Sequence, residues 1–298
     1  MDNYLEKTVP SFDDTPIWYR LIGSGRPTLV LCDGVGCDGY VWKYIIPQFS
    51  PRHRLIHWNY RGHGKTPPPE KLDNLGIEEC CQDLEAVLDD AGQKEPVVLL
   101  GHSMGVQVIL EFTHRHPERV CALVPITGSY GRAIDHVHDS GLAKTIFPLA
   151  RRVVNDFTPL VLPFWRQIIH SELGLQYAKT FEINGQLIKR EDFYPYLEHL
   201  ARMDPRVFVR TLEGAARHTA EPYLHEITQP TLIIAGERDR FTPHWISRRM
   251  QSLMPNARLQ TLPLCSHTGP IEMPDLTNLA IEKFLAEVGD CRSPRNRA

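Results

Sequence analysis

With 298 residues, 42% of them hydrophobic and 23% charged, the chain can bury a large core, and α/β folds of this size often form one unit carrying an insertion. A net charge of -3 offers no basic surface for nucleic acid or anionic lipid. No apolar run approaches the roughly 18 residues of a membrane span, so the expected partner is a small, weakly charged molecule and not a bilayer.

The N-terminal "MDNYLEKTVP" lacks the basic and apolar regions of a secretory leader. Seven cysteines (Cys32, Cys37, Cys80, Cys81, Cys121, Cys265, Cys291) are odd in number and lack metal-ligand spacing, which predicts reduced thiols in a cytoplasmic protein. Downstream, short β-like runs alternate with helical patterns, the signature of a mostly parallel sheet covered on both faces. "PIWYRLIG" and "TLVLCD" read as strands, "YVWKYIIPQF" as a helix and "HRLIHWNY" as a strand before the proline-rich "RGHGKTPPPE" loop. "IEECCQDLEAVLDDAG" reads as an amphipathic helix closed by Gly92. The strand "PVVLLGH" then runs into a helix at Ser103, and "RVCALVPIT" is a buried strand.

From residue 128 to 223 the rhythm changes to aromatic-rich helical segments without a buried strand, with the stretch from Tyr177 to Leu200 undecided. This predicts a helical cap at 128–223 inserted between core segments 1–127 and 224–290. In the second core segment "QPTLIIAGERDRFTP" and "ARLQTLPL" supply strands, each followed by a helix, and residues 291–298 read as a frayed polar tail.

The chemistry concentrates where strand meets helix. In "GHSMG", Ser103 lies between Gly101 and Gly105 at an abrupt strand-to-helix turn, a geometry that lifts its hydroxyl above the sheet and tolerates no bulk at the glycine positions. Serine is a poor nucleophile at neutral pH and needs a base and a group to orient that base. Asp239 in "GERD" and His267 in "SHTGP" follow the next two strands, at the sheet edge where ligands bind in open α/β sheets.

In this ordered set, spread over nearly the whole length, the chain resembles the α/β-hydrolase superfamily: "GHSMG" matches its nucleophile elbow, "GERD" its acid turn and "SHTGP" its histidine loop. "NYRGHGKT" is similar to that family's loop after its second parallel strand, with Asn59 where an aspartate is frequent. The resemblance implies Ser103 as nucleophile, His267 as general base and acid, and Asp239 as its orienter. It further implies an oxyanion hole from the amides of Met104 and Val35, and the mechanism calls for neither a metal nor an organic cofactor. Where the family commonly has histidine before Gly34, this chain has Asp33. A carboxylate aimed into an oxyanion hole would oppose the developing charge, so Asp33 is expected to turn away and accept amides of its own glycine-rich loop.

Gly34, Trp42, Tyr130, Phe147, Phe164 and Trp165 are candidate substrate-contacting residues, although aromatic residues at helical spacing equally suit a core. The "DHVHD" cluster, residues 135–139, reads as solvated loop because no distant ligand completes a metal site. The expected activity is hydrolysis of a small, largely apolar carboxylic ester through an acyl-enzyme. Serine at the elbow argues against the dehalogenase and epoxide-hydrolase branches, which use aspartate. Lactone, thioester and carbon–carbon bond cleavage, acyl transfer and ligand sensing stay open, since all are compatible with the same triad. The oligomeric state is not readable from the sequence.

Overall fold

Apolar runs become strands and 3.6-residue patterns become helices in the computed structural model, which describes residues 4–131, 149, 152–169, 171, 176 and 183–291. The strands are β1 (Tyr4–Pro10), β2 (Pro16–Ile22), β3 (Leu29–Cys32), β4 (Leu55–Trp58), β5 (Val97–His102), β6 (Val120–Ile126), β7 (Thr231–Gly236) and β8 (Ala257–Leu262). They form a sheet in the order β1-β2-β4-β3-β5-β6-β7-β8. β2 pairs antiparallel with β1 and β4, and the remaining pairs are parallel.

The helices are α1 (Ile45–Phe49), α2 (Ile77–Asp90), α3 (Met104–Arg115), α4 (Thr158–Ile169), α5 (Arg190–Arg202), α6 (Pro205–Arg217), α7 (His244–Leu253), α8 (Gly269–Glu272) and α9 (Pro274–Val288). Because side chains alternate along a strand, β5 sends Val97 and Leu99 to the face covered by α2, α3 and α7, and Val98 and Leu100 to the face covered by α1 and α9. Each such fully buried side chain contributes roughly 1.5–3 kcal/mol.

Three elements differ from the sequence-based expectation. β1 was not anticipated, because "YLEKTVP" is largely exposed and only its register against β2, from Tyr4↔Ile22 to Pro10↔Pro16, makes it a strand. The expected helix over "YVWKYIIPQF" divides into a 3-10 turn (Tyr40–Trp42) and the short α1. The undecided stretch contains α5, whose buried Phe193, Tyr196, Leu197, Leu200 and Ala201 recur at helical spacing despite the internal Pro195.

The cysteine expectation is corrected. Cys121 on β6 and Cys291 form a disulfide across a sequence separation of 170. Cys32, Cys37, Cys80, Cys81 and Cys265 are free and buried. A structural disulfide belongs with oxidising surroundings, so the cysteines no longer argue for the cytoplasm. The bridge also anchors the position where the tail was expected to fray, while residues 292–298 lie outside the described residues. Among the described residues no helix is long and apolar enough to cross a membrane.

The helices between β6 and β7 are tied to the core by polar contacts. Glu111 on α3 accepts hydrogen bonds from Arg115 Nε (2.5 Å), from Tyr223 Oη and from His218 Nε2 (3.0 Å) just beyond α6. Burial opposes its charge, but these donors draw its pKa from 4.5 down to about 2. A depressed folded pKa contributes stability that is present above the unfolded value and lost as pH falls through the folded one. The thermal midpoints of wild type and Glu111→Gln are therefore expected to converge as pH is lowered from about 6 to about 3, measured by calorimetry across that range.

Candidate active site

β5 ends at His102 and α3 begins at Met104, leaving Ser103 alone to make the passage. It does so at φ 54° and ψ -117°, a conformation that costs a side-chain-bearing residue about 1–3 kcal/mol. The surroundings enforce it. A Cβ on Gly101 would stand 2.4 Å from the Gly105 carbonyl oxygen, and one on Gly105 would stand 2.2 Å from that of Cys32, so only glycine allows this packing. Ser103 N donates to the Ile126 carbonyl at 3.1 Å and pins the turn to β6.

Ser103 Oγ lies 2.8 Å from His267 Nε2, and His267 Nδ1 lies 3.0 Å from Asp239 Oδ2. The structure thus brings together all three side chains that the sequence places in different loops. Asp239 is held by the turn after β7: its Oδ1 accepts from the amides of Phe241 and Thr242, each at 2.8 Å, and its Oδ2 from Thr242 Oγ1 at 2.7 Å. Burial works against this carboxylate's charge, but the His267 imidazole and the Thr242 donors keep its pKa below the ordinary 3.8. An ionised acceptor at Nδ1 fixes the proton there, leaving the Nε2 lone pair to face the serine hydroxyl.

Two buried side chains support the histidine loop. His102 Nε2 donates to the His267 carbonyl at 3.0 Å, and burial followed by the neighbouring imidazole lowers the His102 pKa to about 4, so it is neutral. Glu272 on α8 was not singled out from sequence. It accepts from Ser266 N (2.7 Å), Thr268 Oγ1 (2.8 Å) and Asn184 N (2.9 Å), clamping the residues on both sides of His267 to the segment before α5. The only signal for it was an acidic residue shortly after the histidine, and that is too common to be diagnostic.

Met104 opens α3, so its amide has no intrahelical acceptor, and Val35 lies in the loop after β3. Both residues border a small cavity beside Ser103. Asp33 does turn away from the site, but its partners differ from the expected loop amides. Trp42 Nε1 donates to its Oδ1 at 2.6 Å, and His57 Nε2 lies 3.0 Å from its Oδ2. Because Arg20 Nε donates to His57 Nδ1 at 3.2 Å, the His57 proton sits on Nε2 and is given to Asp33. Asp33 therefore anchors the loop carrying Gly34 and Val35 from below.

A cavity of about 440 Å³ opens over Ser103, between the strand ends and α4, α5 and α6. Of the candidate substrate-contacting residues, Gly34 and Trp165 line it. Trp42, Tyr130 and Phe164 do not line it. Trp42 is fully buried against Asp33, and Tyr130 is buried outside the cavity walls, its carbonyl accepting from Ala220 N at 2.7 Å. Phe164 is 64% exposed, because it lies one helical step from Trp165 and points outward. Phe147 and the residues 135–139 lie outside the described residues. Walls missed from sequence include Tyr40, Tyr196, Leu200, Phe208, Leu212 and Phe241. Phe208 and Leu212 repeat at i, i+4 on the expected helix α6, which was the available signal.

A family model described as the alpha/beta hydrolase fold matches residues 27–274. RutD of Azorhizobium caulinodans, named for carbamate hydrolysis, is 23% identical over 275 residues, 92% of this chain and 97% of that protein. Epoxide hydrolase 3 of Xenopus tropicalis is 26% identical over 290 residues, 92% of this chain and 76% of its own length. The solved structure of a thermophilic esterase from Thermogutta terrifontis matches with a TM-score of 0.76 at 20% identity, covering 95% of this chain and 99% of that one. The matched span runs from before β3 to the start of α9 and includes the strained serine turn and both loops that meet it; the chain belongs to the alpha/beta hydrolase fold family.

Proposed function

We propose that the protein is a serine hydrolase that cleaves a small, largely apolar carboxylic ester through an acyl-enzyme. The observation that carries this reading is the continuous relay from Ser103 Oγ through His267 to Asp239, with contacts of 2.8 and 3.0 Å. Ser103 Oγ adds to the ester carbonyl carbon while His267 Nε2 takes its proton, and the Met104 and Val35 amides receive the oxyanion. Collapse expels the alcohol oxygen, which takes the proton from His267. Water then adds to the acyl carbon by the same route, releasing the carboxylic acid and restoring Ser103.

An uncharged hydroxyl at the elbow supports acyl-enzyme chemistry over attack by a carboxylate, and the largely apolar cavity suits an uncharged substrate. The likeness to proteins named for carbamate, epoxide and ester hydrolysis is compatible with hydrolysis of several bond types, and the serine selects the acyl ones among them.

The test is covalent trapping. A fluorophosphonate probe is expected to add once per chain, with peptide mass spectrometry mapping the adduct to Ser103, and p-nitrophenyl acetate is expected to give a burst of one p-nitrophenol per labelled site. An adduct at another residue, or ester binding with neither adduct nor turnover, would overturn the assignment in favour of a different nucleophile or a ligand-sensing role.

A further inference from the structure

We infer that the preferred substrates pair a compact acyl group, about the size of acetyl, with a bulky apolar alcohol or phenol; this division rests on the hydrolase reading above. Two cavities of unequal size meet at Ser103. The larger, about 440 Å³, reaches His267 on the core side and Trp165, Tyr196 and Leu200 on the helical side. The smaller, about 40 Å³, is bounded by Met104, Gln107, Ser129 and Ala216. Val35, Ser103, Leu212 and Phe241 line both and form the partition between them.

His267 decides which half of an ester goes where. It lines the larger cavity and not the smaller. The departing oxygen must come within reach of His267 Nε2 to be protonated, so the alcohol side of the scissile bond faces the larger cavity. The residues supplying both oxyanion amides border the smaller one, which leaves that side for the carbonyl oxygen and the acyl substituent. On the measure by which one water needs ~10–15 Å³, the smaller cavity takes about three heavy atoms, enough for the carbonyl group and one methyl.

The small chamber does not enlarge by simple side-chain rotation. Gln107 Nε2 donates to the Ala215 carbonyl at 2.8 Å, and Ser129 Oγ donates to that of Gly131 at 2.9 Å, so swinging either aside would leave a buried polar group unpaired. The large chamber, walled mainly by aliphatic and aromatic side chains, favours an apolar leaving group by burying its surface.

An isomeric pair of esters tests the division: 2-naphthylmethyl acetate and methyl 2-naphthylacetate contain the same atoms with acyl and alcohol bulk exchanged. The acetate is expected to have the higher kcat/KM by at least about tenfold, the scale on which a pocket rejects added methylenes. With p-nitrophenol as a constant leaving group, kcat/KM is expected to fall from acetyl to hexanoyl by at least about tenfold. Leu212→Ala opens the partition and is expected to narrow both preferences; Ala216→Leu fills the small chamber and is expected to depress acetyl turnover. Equal or reversed preference for the isomers, in an enzyme whose Ser103 is labelled by fluorophosphonate, would overturn the division and leave the hydrolase reading standing. Absence of both Ser103 labelling and turnover of any ester would remove that reading and the division with it.

Discussion

Ser103→Ala is expected to lower kcat for aryl acetates by about a millionfold while the protein melts within about 2 °C of wild type. The variant keeps its Cβ and the backbone contacts of the turn, including the bond from residue 103 N to the Ile126 carbonyl, so the fold has little reason to change. What disappears is the hydroxyl oxygen 2.8 Å from His267 Nε2, which the proposed mechanism uses as nucleophile. Asp239→Asn is expected to lose on the order of 10⁴-fold, because an amide nitrogen turned toward His267 Nδ1 would force the ring proton onto Nε2, where it no longer accepts from serine. Single-turnover kinetics on both variants, with the wild-type burst as reference, distinguish loss of acylation from slow deacylation. Retention of more than about 1% of wild-type kcat by Ser103→Ala would place the nucleophile elsewhere.

Arg61→Met is expected to lower the thermal midpoint by roughly 6–20 °C, corresponding to the 3–5 kcal/mol lost when one partner of a buried ion pair is removed. Arg61 is almost wholly buried in the loop after β4, and all five of its N–H donors are engaged. Nε and Nη2 reach the two Asp83 oxygens at 2.7 and 2.6 Å, Nη1 and Nη2 reach Asp13 at 2.9 and 3.1 Å, and Nη1 also reaches the Asn74 carbonyl at 3.1 Å. One planar cation thereby joins α2, the β1–β2 turn and the loop between β4 and α2. A lysine offers one point charge in place of this fork, so Arg61→Lys is expected to recover only part of the loss.

The pH dependence of that deficit has a definite sign. Burial already pushes the Asp83 pKa above 3.8, against the opposing pull of Arg61 and Ser11, and removing Arg61 raises it further. A raised folded pKa loses stability as pH rises, so the deficit of Arg61→Met is expected to be larger at about pH 8 than at about pH 5. Thermal unfolding of the three proteins at both values measures it. An unchanged midpoint for Arg61→Met would mean that the two carboxylates find other partners.

How legible each feature was depended on how local its cause is. β3, β5 and β7 are buried along their whole length and β6 at every position but Cys121, so their apolar runs identify them from sequence alone. Ser103, Asp239 and His267 stand out because a strand end, a turn and a residue type coincide at each, and their order along the chain fits one family. β1 and α5 were obscure because their partners, β2 for the one and the apolar side chains of α4 and α6 for the other, supply the reason for their conformation. Which aromatic candidate faces the cavity was obscure for the same cause: whether Phe164 or Trp165 meets it depends on how α4 is rotated against α5 and α6, a matter of packing between distant segments.

By itself, the sequence determined the mostly parallel α/β architecture and the three side chains that meet at the candidate site, because alternating hydrophobicity, the glycine-flanked serine and strand-end loops are short-range constraints. Only the tertiary structure decided the joining of Cys121 to Cys291, the turning of Asp33 under its loop toward Trp42 and His57, and the division of the space over Ser103 into unequal halves. Each of these depends on distances between segments far apart in the chain, which are fixed only when the whole core closes.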